Sequence, residues 1–364
     1  MITKEKVLDA LRDVKDPELN RSLVELNMIR NIQIEDSRVS LDVILTIQGC
    51  PLKVKIQEDV ENAIKRLGAK QVDITFGSMT DEERAALSAS LRKQQQAQQG
   101  TSAVPPILAK GSKTQFIAIA SGKGGVGKST VTVNLGVALA REGKKVGIID
   151  ADIYGFSVPD MMGIEQQPVV IDKTILPVER FGVKVISMGF FVQDNAPVVW
   201  RGPMLGKMLR NFFSEVHWGE LDYMLLDLPP GTGDVALDVH QMIPQSKEII
   251  VTTPHATAAF VAARAGAMAL HATKHEILGV VENMSWYENK DGEKDYVFGR
   301  GGGEKLAQEL KVELLAQIPL GAPMNELDQP DYSPSVYPLD HPAGQLYQGL
   351  ARKVIQKLPV PQEK

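Results

Sequence analysis

One cysteine, Cys50, occurs in 364 residues. A disulfide framework within the chain is excluded, which suits a reducing compartment; the cytoplasm is the expected setting. An excess of positive charge is also missing. The net charge is −5, so no global basic field points to nucleic acid or membrane, although local basic patches stay open. No hydrophobic run has the length of a bilayer span: the most apolar helical stretch, AAFVAARAGAMAL, is short and carries Arg264. The N-terminal MITKEKVLDA has no apolar signal-peptide core, and no internal repeat is found. What is present is an ordinary globular composition, 43% hydrophobic and 23% charged, in a chain long enough for two domains.

Residues 1–78 read as a small α+β domain. VLDALRDV is a short amphipathic helix, NIQIED and VSLDVILTI are strands about a polar turn at Asp36-Ser37, and QVDITF is a closing strand. PLKVKIQEDVENAIKRLG is a helix with Pro51 in its first turn and Gly68 at its end. Residues 79–113 are polar and glutamine-rich, then Ser/Pro/Gly-bearing, and read as a linker. From Thr114 to the end, apolar runs alternate with helical stretches: FIAIAS, KVGIID, VKVISMG, YMLLDLP, EIIVTTP, ILGVVEN and ELLAQIP. Continuous Ile/Val/Leu strands predict an α/β domain with a mainly parallel sheet covered by helices on both faces. A final helix is expected to pack through Leu346, Leu350, Val354 and Leu358.

Within this domain GKGGVGKS, Gly122 to Ser129, has the spacing of a phosphate-binding loop between a strand and a helix. The nucleotide contacts are expected from Gly122, Lys123, Gly124, Gly125, Val126, Gly127, Lys128, Ser129 and Thr130. Glycines let backbone amides converge on phosphate oxygens, and the helix N-terminus adds a positive end. Lys128 is placed to reach the terminal phosphates of ATP, and the Ser129 hydroxyl to ligate Mg²⁺. Asp227, ending YMLLD, is the expected partner of the metal. Asp150 and Asp152 end and follow KVGIID; Asp150 reads equally as a strand-end cap, and Asp152 as the group orienting the attacking water. Gly231-Thr232-Gly233-Asp234 has the look of a loop sensing the γ-phosphate.

KGGVGKS, with its early lysine, resembles the deviant phosphate loop of the ParA/MinD class of ATPases. IDADIYGFSVPDMMG, WRGPM, LDLPPGTGD and FGRGGGEKLA narrow the resemblance to the Mrp/ApbC branch, and DPEL with GCPL resembles a MIP18-type domain in front of it. Within that branch the chain looks most like SalA-type proteins. The resemblance implies a homodimer in which Lys123 reaches the partner's nucleotide, acting as charge supplied in trans. It implies that Asp152 is linked to hydrolysis, and it places Asn283 at the adenine with Pro319 beside the same pocket.

Mrp/ApbC proteins that carry iron–sulfur clusters typically have a C-x-x-C after the segment matching VVENMS. Here MSWYENKDGEKDYVFGRGGG has none, which counts against cluster carriage by that route. Cys50, at a helix entrance, reads as a reactive thiol or as a small buried residue. His271 and His275 are expected at the polar end of a helix, and His240 and His255 to pack or bond near the ligand edge. Arg201 in WRGPM has a phosphate or dimer contact and a packing motif as alternative readings, and FGRGGGEKL an anion site or a flexible turn. The functional expectation is a slow, dimerisation-coupled ATPase whose output is either cluster carriage or regulation of DNA or a protein partner. No membrane association is expected.

Overall fold

The computed structural model describes residues 2–16, 21–35, 37–46, 53–80, 82–84, 86–87, 105–109, 111–152, 155–171, 174–191, 202–231, 242–267, 269, 275–323, 325–326 and 332–361. The chain divides into two compact units. The first comprises Met1–Ala103 with Pro168–Pro177 and Glu215–Gly219; the second comprises Val104–Gln167, Val178–Ser214 and Glu220–Lys364.

In the first unit, α1 (Lys4–Leu11) starts at Thr3, whose hydroxyl accepts from the Lys6 amide. It begins three residues earlier than the apolar spacing suggests, because that cap closes the first turn. Short strands β1 (Lys15–Asp16) and β2 (Arg21–Ser22) follow. Strands β3 (Ile29–Glu35), β4 (Arg38–Leu45) and β5 (Gln71–Ser78) form one sheet in that order, antiparallel then parallel, with α2 (Lys53–Lys65) as the crossover. Along β4, Val39, Leu41, Val43 and Leu45 point into the core and alternate with more exposed residues, the period of a sheet with one buried face. Helix α2 supplies Ile56, Val60, Ala63 and Ile64 to the same core, a helical stripe.

The second unit is built on β6 (Gln115–Ser121), α3 (Lys128–Arg141), β7 (Val146–Asp150) and the single-turn α4 (Val158–Met161). The chain then gives the hairpin β8 (Val169–Ile171) and β9 (Thr174–Leu176), whose Val169, Ile171 and Leu176 join the core of the first unit. The second unit resumes with β10 (Val178–Arg180), β11 (Val183–Ser187), α5 (Gly202–Ser214), β12 (Tyr223–Asp227), β13 (Lys247–Thr252) and α6 (Ala256–Ala267). It ends with β14 (Ile277–Glu282), the small pair β15 (Tyr287–Glu288) and β16 (Lys294–Asp295), then α7 (Gly302–Leu310), β17 (Leu314–Gln317) and α8 (Pro342–Lys357).

Eight strands form one sheet, in the order β10-β11-β7-β12-β6-β13-β14-β17, and all pairs are parallel except β10 with β11. Successive residues of β6 face opposite ways: Ile117 and Ile119 join the core with α3 and α8, while the Phe116 ring meets Phe213 of α5 edge-on. Helices therefore cover both faces. Helix α8 buries Ala343, Tyr347, Leu350, Ala351 and Val354, but Leu346 is exposed. Of the expected stripe, Leu350, Val354 and Leu358 are buried and Leu346 is not; small Ala343 and Ala351 let the helix approach along their own side, which widens the packed face there. Among the described residues no helix is long and apolar enough to cross a membrane.

Candidate nucleotide-binding site

Parallel strands bring their carboxyl ends to one edge, and the site stands there. Ser187, Asp150 and Asp227 end β11, β7 and β12 in matched register. Strand β6, next to β12, ends at Ser121 and runs into the phosphate loop. The Ser121 hydroxyl donates to the Lys123 carbonyl, and its own carbonyl accepts from the Gly231 amide at 2.8 Å, tying the segment after Asp227 beneath the loop.

The glycines of the loop are fixed by space and by backbone conformation. A Cβ on Gly122 would come within 2.4 Å of the Ala262 nitrogen in α6, so that helix packs directly on the loop backbone. Gly127 has φ +79°, and a Cβ there would meet Asn283 Nδ2 at 2.1 Å, so no other residue fits without rearrangement. Helix α3 begins at the next residue and directs its free amides at the loop.

Three side chains from the first turns of α3 converge on Asp227, which is fully buried. Lys128 Nζ lies 2.8 Å from Asp227 Oδ1, the Ser129 hydroxyl donates to Oδ2 at 2.6 Å, and the Thr132 hydroxyl donates to Oδ1 at 2.7 Å. Asp152 Oδ2 is 3.8 Å from the same lysine nitrogen. The lysine is 6% exposed, so its charge acts in a low-dielectric surrounding where it counts for more than in water. Asp150 is also fully buried; burial and then the nearby Asp227 charge push its carboxyl up to about 7.

Lys128, Ser129, Asp152 and Asp227 are brought together within the distances above. Lys123, Gly124 and Gly125 stand exposed at the loop tip, and Val126 is buried beneath it. Thr130 lies half-buried in the first turn of α3, its carbonyl accepting from Asn134. Asn283 is buried, and its Nδ2 donates to the Val126 carbonyl at 3.0 Å, so part of its amide holds the loop itself. Pro319 lies beside it: Ile318 donates to Glu282, Ser285 to Ile318 and Leu320 to Trp286, lacing the exit of β17 to residues 282–286.

Other expectations resolve differently. His275 is no polar helix end: it is buried, its amide donates to Ala269, and its Nδ1 lies 3.7 Å from Glu248 Oε1. The His255 Nδ1 accepts from the Thr257 amide at the start of α6. In FGRGGGEKL the Gly303 amide is taken by the Glu282 carboxylate at 2.6 Å, so a carboxylate of the chain itself sits at this helix start. Cys50, Arg201, His240, His271 and Thr232–Asp234 lie outside the described residues.

Two participants were not singled out from sequence. Thr132 lies one turn after Lys128, a spacing that puts both on one helix face and offered a signal. Ser187 had no such signal, since its place depends on strand register.

A family profile described as the NUBPL iron-transfer P-loop NTPase matches residues 112–355, and one described as an iron-sulfur cluster assembly protein matches residues 4–76. An iron-sulfur cluster carrier protein of Bacillus subtilis is 54% identical over 363 residues, covering 99% of each chain. A protein of the same description from Deinococcus radiodurans is 40% identical over 361 residues, covering 97% of this chain and 95% of its own. Among solved structures, a nucleotide-binding protein from Archaeoglobus fulgidus in complex with ADP is 38% identical, with a TM-score of 0.50, covering 68% of this chain and 93% of the other. The buried lysine–aspartate pair under a glycine loop and the extent of these matches lead to one conclusion: this chain is a P-loop ATPase and belongs to the NUBPL iron-transfer P-loop NTPase family, of the Mrp/ApbC type.

Proposed function

We propose that the chain is an ATP-driven homodimeric switch of the cytoplasm whose hydrolysis step releases a clamp between two subunits. The observation that supports the reading is the convergence of Lys128 and Ser129 on Asp227 at the foot of the loop, with Asp152 3.8 Å from the same lysine nitrogen. The loop amides and Lys128 hold the phosphates, and Asn283 and Pro319 flank the base. Asp152 orients water for attack at the γ-phosphorus, and the bond to the bridging oxygen breaks to leave ADP and phosphate. Lys123, exposed at the loop tip, extends to the nucleotide of the second copy and stabilises charge as it develops there.

Mg²⁺ fits the donors present. The Ser129 hydroxyl and the Asp227 carboxylate are hard oxygen ligands, and this ion ordinarily takes its remaining ligands from phosphate and water. When bound, the ion neutralises phosphate oxygens.

The relatives' description supplies the cargo of the first reading, an iron–sulfur cluster. One cysteine per chain gives a dimer two thiolates, half of an all-cysteine set. That count favours a second reading, a regulator acting on DNA or on a protein partner. Anaerobic reconstitution with iron and sulfide separates them. A stable visible chromophore lost in Cys50→Ser supports carriage, whereas DNA retention that needs ATP and falls with salt supports regulation. Under either reading, Asp152→Ala binds ATP and hydrolyses it about a hundredfold or more slowly; an unchanged rate refutes the assignment.

A further inference from the structure

Asp150 is fully buried, yet its carboxylate accepts four hydrogen bonds from the described residues at the sheet edge. Oδ1 accepts from the Asp152 amide at 3.2 Å. Oδ2 accepts from the Ser157 amide at 3.1 Å, the Val158 amide at 3.2 Å and the Ser187 hydroxyl at 3.0 Å. One oxygen thus takes a single donor and the other takes three.

The donors have a pattern. One is the amide of Asp152, where the chain leaves β7. Two are the amides of Ser157 and Val158, where it enters α4 and where helix-start amides lack intrahelical partners. The fourth comes from the end of the neighbouring strand β11, in register with Asp150, and the Ser187 oxygen accepts in turn from the Gly189 amide. One carboxylate thus clamps both ends of the loop that carries Asp152 and fastens them to the sheet.

We infer that Asp150 is a positioning residue for ATP hydrolysis, holding the Asp152 carboxylate at its place beside Lys128. The inference rests on Asp152 acting in hydrolysis, as proposed above. Lys128, Ser129, Thr132 and Asp227 are held to one another by hydrogen bonds and an ion pair in which Asp150 takes no part, so removal of the clamp is expected to leave those contacts in place while taking away a like charge near Asp227. Nucleotide affinity and hydrolysis therefore part company.

The test uses the full-length protein with Asp150→Ala, Asp150→Asn, Ser187→Ala, Asp152→Ala and the double variant Asp150→Ala/Asp152→Ala. ATP affinity is read with a fluorescent analogue, and hydrolysis is read as kcat and KM. Asp150→Ala is expected to keep ATP affinity within about threefold while kcat falls about a hundredfold, the scale of a displaced reacting group. Asp150→Asn, which retains a carbonyl acceptor, recovers part of the rate. Ser187→Ala lowers kcat by about three- to tenfold, the worth of one hydrogen bond. In the Asp152→Ala background, Asp150→Ala costs nothing further, which a merely structural residue would not show.

The inference is overturned if Asp150→Ala hydrolyses at the wild-type rate, or if it slows Asp152→Ala by the same factor as it slows the wild type. An Asp152→Ala protein with the wild-type rate refutes the underlying reading instead, and the inference falls with it. Should Asp150→Ala fail to fold, Ser187→Ala in the two backgrounds carries the same comparison.

Discussion

Lys128 and Asp227 show what a single pair of residues does here. Both are almost wholly buried and 2.8 Å apart, and two hydroxyls complete the carboxylate. Removing one member of a buried pair strands the other charge. Lys128→Ala is therefore expected to lose ATP binding and also about 3 kcal/mol of stability, measured by denaturant unfolding without nucleotide. Another buried carboxylate, Glu248, has its pKa raised chiefly by burial, with His275 pulling the other way. The folded state thus holds a proton that the unfolded chain has already released. That contribution to stability is complete below the unfolded value, near 4.5, and is lost as pH rises to the folded one. Relative to Glu248→Gln, the wild type should lose melting temperature as pH rises from about 4.5 towards neutrality; parallel curves for the two proteins would contradict this. At this scale the sequence was informative where chemistry has a fixed spacing: Lys128 and Ser129 follow from the loop, and Asp227 from its place after an apolar strand. It was silent where a contact depends on distant register. Ser187 meets Asp150 only because β11 lies beside β7, and Asn283 meets the Val126 carbonyl across 157 positions of sequence.

Elements carry the next level. The strands were legible because a sheet covered on both faces needs continuous apolar runs, and β7, β12 and β14 are buried at every position. The face of α8 was harder, because a period-four stripe of large residues included Leu346, whereas the packed face runs through Ala343 and Ala351. Tyrosines make a paired prediction here. The buried Tyr223 hydroxyl on β12 donates to the Leu358 carbonyl at the end of α8 at 2.7 Å. The buried Tyr347 hydroxyl on α8 finds no partner among the described residues. Tyr223→Phe should cost about 1–2 kcal/mol, and Tyr347→Phe should be neutral or slightly stabilising. Equal losses in chemical unfolding would contradict the contrast.

For the molecule as a whole, the sequence marks a polar stretch at residues 79–113 but gives no sign that residues 168–177 belong with the first unit. The segment is short, and nothing in VVIDKTIL marks which unit it joins. Its meaning lies in Ile171, fully buried in the core of Val7, Leu41 and Ile56. Ile171→Ala should weaken the first unit by about 2–4 kcal/mol, seen as faster amide exchange in α1 and β4 with β6 and β12 unchanged. Uniform exchange changes in both units would speak against that assignment.

The proposed switch depends on Lys123, which stands exposed at the loop tip. The most direct measurement is the mass in solution, by light scattering, of Asp152→Ala protein with Mg·ATP, with and without Lys123→Ala. The account predicts a dimer for Asp152→Ala and a monomer with unchanged ATP affinity for the double variant. A dimer in both, or a monomer in both, would contradict it.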